Sequence, residues 1–236
     1  MNQPPTHDQL MIYGAYGYTG ELIAREAVAR GMAPVLAGRN EQKTGALARE
    51  LGVEARVFDL DKDAISGQLA DIDVVIHCAG PFSATAPPMI AACLASQTHY
   101  LDITGEIEVF EHLFAQHEAA VAAGVVLCSG AGFDVVPTDC VAARLAEEMP
   151  EAQHLALGFD TRSGLSPGTA KTTVEGLAGG GKIRRDGRIE TVKLAAQTRR
   201  IDFGDGEKAA MTIPWGDVAT AFHSTGIPNI SVFMPM

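Results

Sequence analysis

One short segment constrains the fold of this chain more than any other: Gly14-Ala15-Tyr16-Gly17-Tyr18-Thr19-Gly20. The apolar run Leu10–Tyr13 precedes it and an amphipathic run from Glu21 follows it. Strand, glycine turn, helix is the context in which a glycine fingerprint binds a dinucleotide. One glycine makes the tight turn, another lets the backbone approach a pyrophosphate, and a third lets the helix pack on the strand. The free N–H groups and positive dipole end of the helix then hold the phosphates. The glycines fall at 14, 17 and 20, G-x-x-G-x-x-G rather than G-x-G-x-x-G, so the flanking strand and helix carry more of the argument than the spacing. Gly14, Tyr16, Gly17, Tyr18, Thr19 and Gly20 are the expected cofactor residues of this loop.

The alternation continues along the chain. A helix over 21–30 turns Leu22, Ile23 and Ala27 to one face and stops at Gly31. A strand over 34–37 ends in Gly38-Arg39-Asn40. Arg39 lies nineteen residues past Gly20, near the place where an NAD enzyme sets a carboxylate on the ribose 2′-hydroxyl. An arginine fork suits a 2′-phosphate, which a carboxylate would repel. Arg39, Asn40 and Lys43, one helical turn on, therefore predict NADP, with NAD the lesser choice.

A helix over Glu41–Leu51 leads to a strand over 55–58 with Asp59 at its end. The apolar strand 73–77 runs into Cys78-Ala79-Gly80-Pro81-Phe82. Asp59, Cys78, Ala79, Gly80 and Pro81 are expected to face the cofactor crevice at the carboxyl ends of the strands. Pro87 and Pro88 are expected to open a helix to about 96. A strand over His99–Asp102, a helix to about 123, a strand over 125–128 and a helix over 140–148 complete the first module. Strands alternating with helices in this way give an α/β class, a Rossmann doubly wound parallel sheet.

Charge divides the chain. Lys and Arg against Asp and Glu number 8 to 20 over residues 1–150 and 10 to 9 over 151–236, which supports two modules. The net charge of −11 argues against nucleic acid or an anionic membrane as a partner. Cys78, Cys93, Cys128 and Cys140 form no C-x-x-C pair, which suits reduced thiols and a cytoplasmic protein. Residues 1–9 read as a disordered tail without signal-peptide features, and no run is long enough for a membrane span.

After a strand over 154–160, Ser166-Pro167-Gly168-Thr169 leads into a helix over 170–177. Gly176 to Lys182 matches G-x-x-x-x-G-K by letter, but Ile183 stands where Ser or Thr would hold Mg²⁺, and a helix precedes it, so it is no P-loop. Asp186-Gly187 and Gly204-Asp205-Gly206 mark hairpins. The expected organisation is a tail at 1–9, a Rossmann domain at 10–150 and, at 151–236, a second α+β domain on a mostly antiparallel sheet. An exposed face of that sheet suits a homodimer contact. The chain ends within a strand over 229–234, which reads as a C-terminal truncation.

Tyr16-Gly17-Tyr18-Thr19-Gly20, Leu36-Ala37-Gly38-Arg39-Asn40, Cys78-Ala79-Gly80-Pro81-Phe82, His99-Tyr100-Leu101-Asp102-Ile103-Thr104-Gly105-Glu106 and Gly132-Phe133-Asp134-Val135-Val136-Pro137-Thr138-Asp139 appear in order. Together they resemble the saccharopine dehydrogenase-like oxidoreductases, including the trans-acting enoyl reductase branch. Pro214-Trp215-Gly216-Asp217 and Ser224-Thr225-Gly226-Ile227-Pro228-Asn229 look like the same branch. The resemblance implies an NADP-binding Rossmann domain, a substrate and dimerisation domain, and reduction of a C=N or C=C bond in a small-molecule or acyl substrate.

Hydride transfer also needs a group that manages a proton or developing charge. Asp134 and His99 are the candidates, although a loop-stabilising role for Asp134 and an ordinary strand-end hydrogen bond for His99 fit equally well. Tyr-x-x-x-Lys is absent, against a short-chain dehydrogenase. An acyl-phosphate reductase of the semialdehyde type shares the loop, but its Asn-Pro-Gly-Cys context is missing around Cys128 and Cys140. A non-catalytic NADP-binding sensor or assembly module shares every cofactor feature. His112 and His117 are about 140° apart on a helix, so no metal site is expected.

Overall fold

The structure is a computed structural model that describes residues 9–60, 65–161 and 179–236. The expected tail, apart from Gln9, lies outside them, as do the helix over 170–177 and most of the Gly176 to Lys182 stretch. The chain divides into two compact units, Met1–Thr104 with His112–Ala131 and Gly105–Glu111 with Gly132–Met236.

The first unit holds β1 (Leu10–Tyr13), β2 (Val35–Gly38), β3 (Ala55–Val57), β4 (Val74–His77), β5 (His99–Asp102) and β6 (Leu127–Cys128). They form one parallel sheet in the order β3-β2-β1-β4-β5-β6, the doubly wound order of dinucleotide-binding domains. In the central strand Ile12 pairs with Leu36 on one side and Ile76 on the other. Ile12, Ala15, Leu36, Ala24, Ala27, Leu47 and Ala48 form a buried cluster. Small residues at 15, 24, 27 and 48 let α1 (Tyr18–Ala29) and α2 (Glu41–Leu51) lie close to the strands.

Three local expectations are corrected. The helix α1 begins at Tyr18, because Gly17 takes the extended capping conformation. After the short α3 (Ile65–Gln68), α4 (Phe82–Ser96) contains Pro87 and Pro88 instead of opening on them. Its first turn forms earlier, when Ala84 and Thr85 donate their N–H groups to the Pro81 carbonyl. The helix expected after β5 is two, α5 (Ile107–Phe114) and α6 (His117–Ala123), parted where Gln116 N–H turns back to the Leu113 carbonyl.

The second unit holds α7 (Val136–Glu148), β7 (His154–Gly158), β8 (Gly181–Arg185), β9 (Arg188–Val192), β10 (Thr198–Asp202), β11 (Glu207–Ile213), α8 (Asp217–Thr225) and β12 (Asn229–Pro235). The last of the breaks falls at 131/132, and α7, which the sequence pattern groups with the first domain, packs on α8 and β7. β12 is the spine of the sheet, antiparallel to β11 and β8 and parallel to β7. Asp186 and Gly187, at φ 48° and 78°, make the two-residue turn between β8 and β9, a geometry that favours Asp-Gly. The expected hairpin at Gly204–Gly206 joins β10 to β11. No helix among the described residues is long and apolar enough to cross a membrane.

Candidate cofactor site

The glycine loop is shaped by close approach. Gly14 sits at φ 81° with its N–H on the Ala37 carbonyl at 2.8 Å. A Cβ there would lie 2.8 Å from the Ala79 nitrogen and 2.9 Å from the Cys78 carbonyl carbon. A Cβ on Gly20 would collide with the Gly14 carbonyl oxygen. Gly14 thus makes the turn and admits the loop after β4, and Gly20 lets α1 seat on the turn. Gly17 N–H closes it on the Gly14 carbonyl at 2.9 Å. No side chain caps α1, so the first-turn N–H groups of Tyr18, Thr19 and Gly20 have no intrahelical acceptor.

A second cluster gathers at the end of β2. The Tyr16 ring lies against Gly38, where a Cβ would come within 2.7 Å of the ring. The Lys43 ammonium stands 5.8 Å from the ring centroid. Arg39 is exposed and has no ion pair among the described residues. Asn40 accepts the Lys43 N–H at 2.9 Å and so caps α2, which commits its carbonyl oxygen. Asp59 accepts the Leu60 N–H at 2.7 Å.

At the carboxyl end of β4, His77 has no exposed surface, and burial lowers its pKa to about 3. Its Nε2 lies 3.0 Å from the Thr85 hydroxyl, which also approaches the Ala79 and Pro81 carbonyls at 2.6 and 3.0 Å. Burial likewise pushes the Cys78 thiol up to about 12, helped by the Asp102 charge, so it is no nucleophile at neutral pH. Asp102, buried at the end of β5, accepts from Tyr100 Oη, Ser129 Oγ and the N–H groups of Thr104 and Gly130. Desolvation raises its pKa while these donors oppose the rise. Its oxygens are thereby committed to tying β5 to the turn after β6.

His99 is not at the carboxyl edge. It starts β5, pairs with Val74 at the start of β4, and accepts the Val126 N–H on Nδ1 at 2.9 Å. In a parallel sheet that is the end opposite the glycine loop, so the ring buttresses the sheet.

Within the second unit, the Asp134 carboxylate occupies the space a Cβ on Gly105 would take, and the Asp134 carbonyl accepts from Trp215 Nε1 at 3.2 Å. Desolvation pushes Asp134 up to about 6. Asp217 opens α8 fully buried, with neither carboxylate oxygen hydrogen-bonded among the described residues. Desolvation, with the charges of Asp139 and Asp134, pushes it up to about 7. The Thr138 hydroxyl opposes this without a well-formed hydrogen bond.

The structure therefore joins Gly14 with Cys78 and Ala79, and Tyr16 with Gly38 and Lys43. Sequence reasoning passes over His77, Thr85 and Asp217. For His77 a signal exists, a polar residue closing an apolar strand just before Cys-Ala-Gly-Pro; for Thr85, inside an alanine-rich helix, there is none.

Residues 10–128 match the saccharopine dehydrogenase NADP binding domain family. The chain is 28% identical to the mouse saccharopine dehydrogenase-like oxidoreductase over 218 residues, which is 81% of this chain and 50% of that one. It is 30% identical over 139 residues to the trans-acting enoyl reductase of Mycobacterium leprae, covering 55% of this chain and 33% of the relative. The chain spans about half the length of the curated relatives it matches first. Among solved structures, apo saccharopine dehydrogenase (L-Glu forming) from Saccharomyces cerevisiae superposes with a TM-score of 0.68 at 18% identity, over 96% of this chain and 54% of that one.

Proposed function

The chain belongs to the saccharopine dehydrogenase NADP binding domain family, and from that premise we propose that it is an NADP-dependent oxidoreductase acting on a C=N or C=C bond of a small-molecule or acyl substrate. The residues present fit the cofactor. Gly14 and Gly20 let the turn close against the 78–79 stretch and the start of α1, where a Cβ would collide with backbone, and α1 starts without a side-chain cap. The observation that carries NADP over NAD is Arg39, exposed and without an ion pair among the described residues, directly after Gly38, on which Tyr16 and its neighbour Lys43 gather. A guanidinium and an ammonium there oppose the two charges of a 2′-phosphate. Bound NADPH supplies the hydride.

Asp134 is the proposed acid. Its carboxyl, held near pH 6, can exchange a proton near neutrality. Cys78, Ala79, Gly80 and Pro81 remain proposed cofactor neighbours through the contact of the 78–79 stretch with Gly14, and Asp59 as a residue just past the carboxyl end of β3. A cytoplasmic homodimer completes the proposal, with Cys78, Cys93, Cys128 and Cys140 all free thiols.

Fluorescence titration of the chain with NADPH and NADH tests the cofactor assignment, and competition by 2′,5′-ADP against 5′-AMP tests the phosphate contact. NADPH is expected to bind at least about tenfold tighter, the worth of a charge-assisted contact. Equal affinities, or tighter NADH, would overturn the NADP assignment. NADPH oxidation with imine and enoyl substrates then tests the reaction. Tight binding without turnover on any of them would favour the non-catalytic module.

A further inference from the structure

We propose that Thr85, oriented by His77, is a positioning residue for the cofactor: the pair holds the Cys78–Pro81 loop at the depth that lets Ala79 meet Gly14. The proposal rests on the cofactor assignment above. Its geometry is one connected path. His77 Nε2 is 3.0 Å from Thr85 Oγ1, which is 2.6 Å from the Ala79 carbonyl and 3.0 Å from the Pro81 carbonyl. The far side of the same loop presses on the fingerprint, with the Ala79 nitrogen 2.8 Å from where a Gly14 Cβ would be.

The proton inventory fixes the direction. A hydroxyl has one hydrogen. Both carbonyls can only accept, so the Thr85 hydrogen serves them and its oxygen must accept from the histidine. His77 is therefore the neutral Nε2–H tautomer. Its Nδ1 is then a bare acceptor, fully buried and without a donor among the described residues. The ring is surrounded by Tyr13, Phe82 and Tyr100, with centroids 5.5, 5.4 and 6.1 Å away. In such a pocket a phenyl ring would pack without an orphaned nitrogen, and an unmet buried acceptor costs more than one hydrogen bond returns. A histidine here is a poor choice for stability alone. What it adds over phenylalanine is a single donor, aimed at the residue that holds the Ala79 carbonyl.

The test separates positioning from packing. His77→Phe is expected to be as stable as the parent chain or more so, yet to bind NADPH about tenfold more weakly, the scale of one lost hydrogen bond at the loop. Thr85→Val should weaken binding similarly, and Thr85→Ser should restore it. Nitrogen-15 NMR of the histidine rings is expected to show His77 with Nε2 protonated and Nδ1 bare in the parent and in Thr85→Ser. Unchanged NADPH affinity in His77→Phe or a folded Thr85→Val would overturn the proposal, as would an Nδ1–H tautomer at His77. If the parent chain binds neither NADPH nor NADH, the cofactor assignment fails and takes the proposal with it. Parent binding with indifferent variants removes the positioning role alone.

Discussion

The Asp134 carboxylate lies where a side chain on Gly105 would begin. Gly105 is not among the glycines with positive φ, so no left-handed backbone requires glycine there; the neighbouring carboxylate does. Gly105→Ala is expected to destabilise the chain by about 1–3 kcal/mol, the range for overpacking a filled site. Adding Asp134→Ala should recover most of that loss, because the second change removes the colliding atoms. A double-mutant cycle by urea unfolding measures the coupling. Additive losses would mean the two residues do not meet.

Asp217 gives a pH signature whose sign can be stated. Its folded pKa is pushed up to about 7, with desolvation the main cause and Asp139 and Asp134 adding to it. An unfolded aspartate titrates near ~3.9. Between these values the native state binds more protons than the unfolded one, so this group's contribution favours folding at low pH. It declines as pH rises from about 4 to about 7 and is constant above. Asp217→Asn keeps the shape and removes the titration. Relative to that variant, the parent should lose on the order of 2–4 kcal/mol between pH 4 and pH 8. Asp134, pushed to about 6, acts in the same direction. Melting curves of parent and variant at both pH values provide the check, and a constant difference would rule the buried acid out.

The first sheet was legible because its signals are local. Leu10–Tyr13 and the turn after it read correctly from nearest neighbours, the helix that follows starts three residues earlier than expected, and strands of a parallel sheet leave continuous apolar runs such as Val74–Ile76. The Asp186-Gly187 turn was equally local. What escaped depends on contacts distant in sequence. The assignment of α7 to the second unit follows from its packing on α8, some eighty residues away. The strand bounds His99–Asp102 already set His99 at the amino end of β5, and what the sequence does not show is its hydrogen bond from Val126 N–H, a residue distant in sequence. Asp217 looks like an ordinary first-turn acid until its burial and the nearby charges of Asp139 and Asp134 are seen.

Arg39 is expected to decide between the cofactors. Arg39→Asp puts a carboxylate where the 2′-phosphate of NADPH would be held, replacing attraction by repulsion. NADPH affinity should fall at least about 100-fold, while NADH, which carries a hydroxyl there, should lose less than about tenfold or gain. Arg39→Lys should fall between, since an ammonium keeps the charge but not the fork. Parallel titrations of both cofactors at one ionic strength make the comparison. Equal loss of the two would show that Arg39 serves the loop generally rather than the phosphate.

Gly38 and Tyr16 form the other half of that surface. A Cβ on Gly38 would come within 2.7 Å of the Tyr16 ring, and overpacking of this kind costs about 1–3 kcal/mol unless a neighbour yields. Tyr16 is only partly buried and sits on a loop, so the ring can swing outward. Gly38→Ala should therefore change stability by less than about 0.5 kcal/mol, as at other sites where surface side chains move aside. The cost should appear in binding instead. The displaced ring no longer lies under the Lys43 ammonium, now 5.8 Å from its centroid, and NADPH affinity should drop about tenfold, the equivalent of roughly 1.4 kcal/mol within that overpacking range. Tyr16→Ala should weaken binding to a similar degree, and Gly38→Ala should add little in that background, because the collision is already gone. A large loss of stability in Gly38→Ala with unchanged affinity would show that Tyr16 is locked into the fold and plays no part in holding the cofactor.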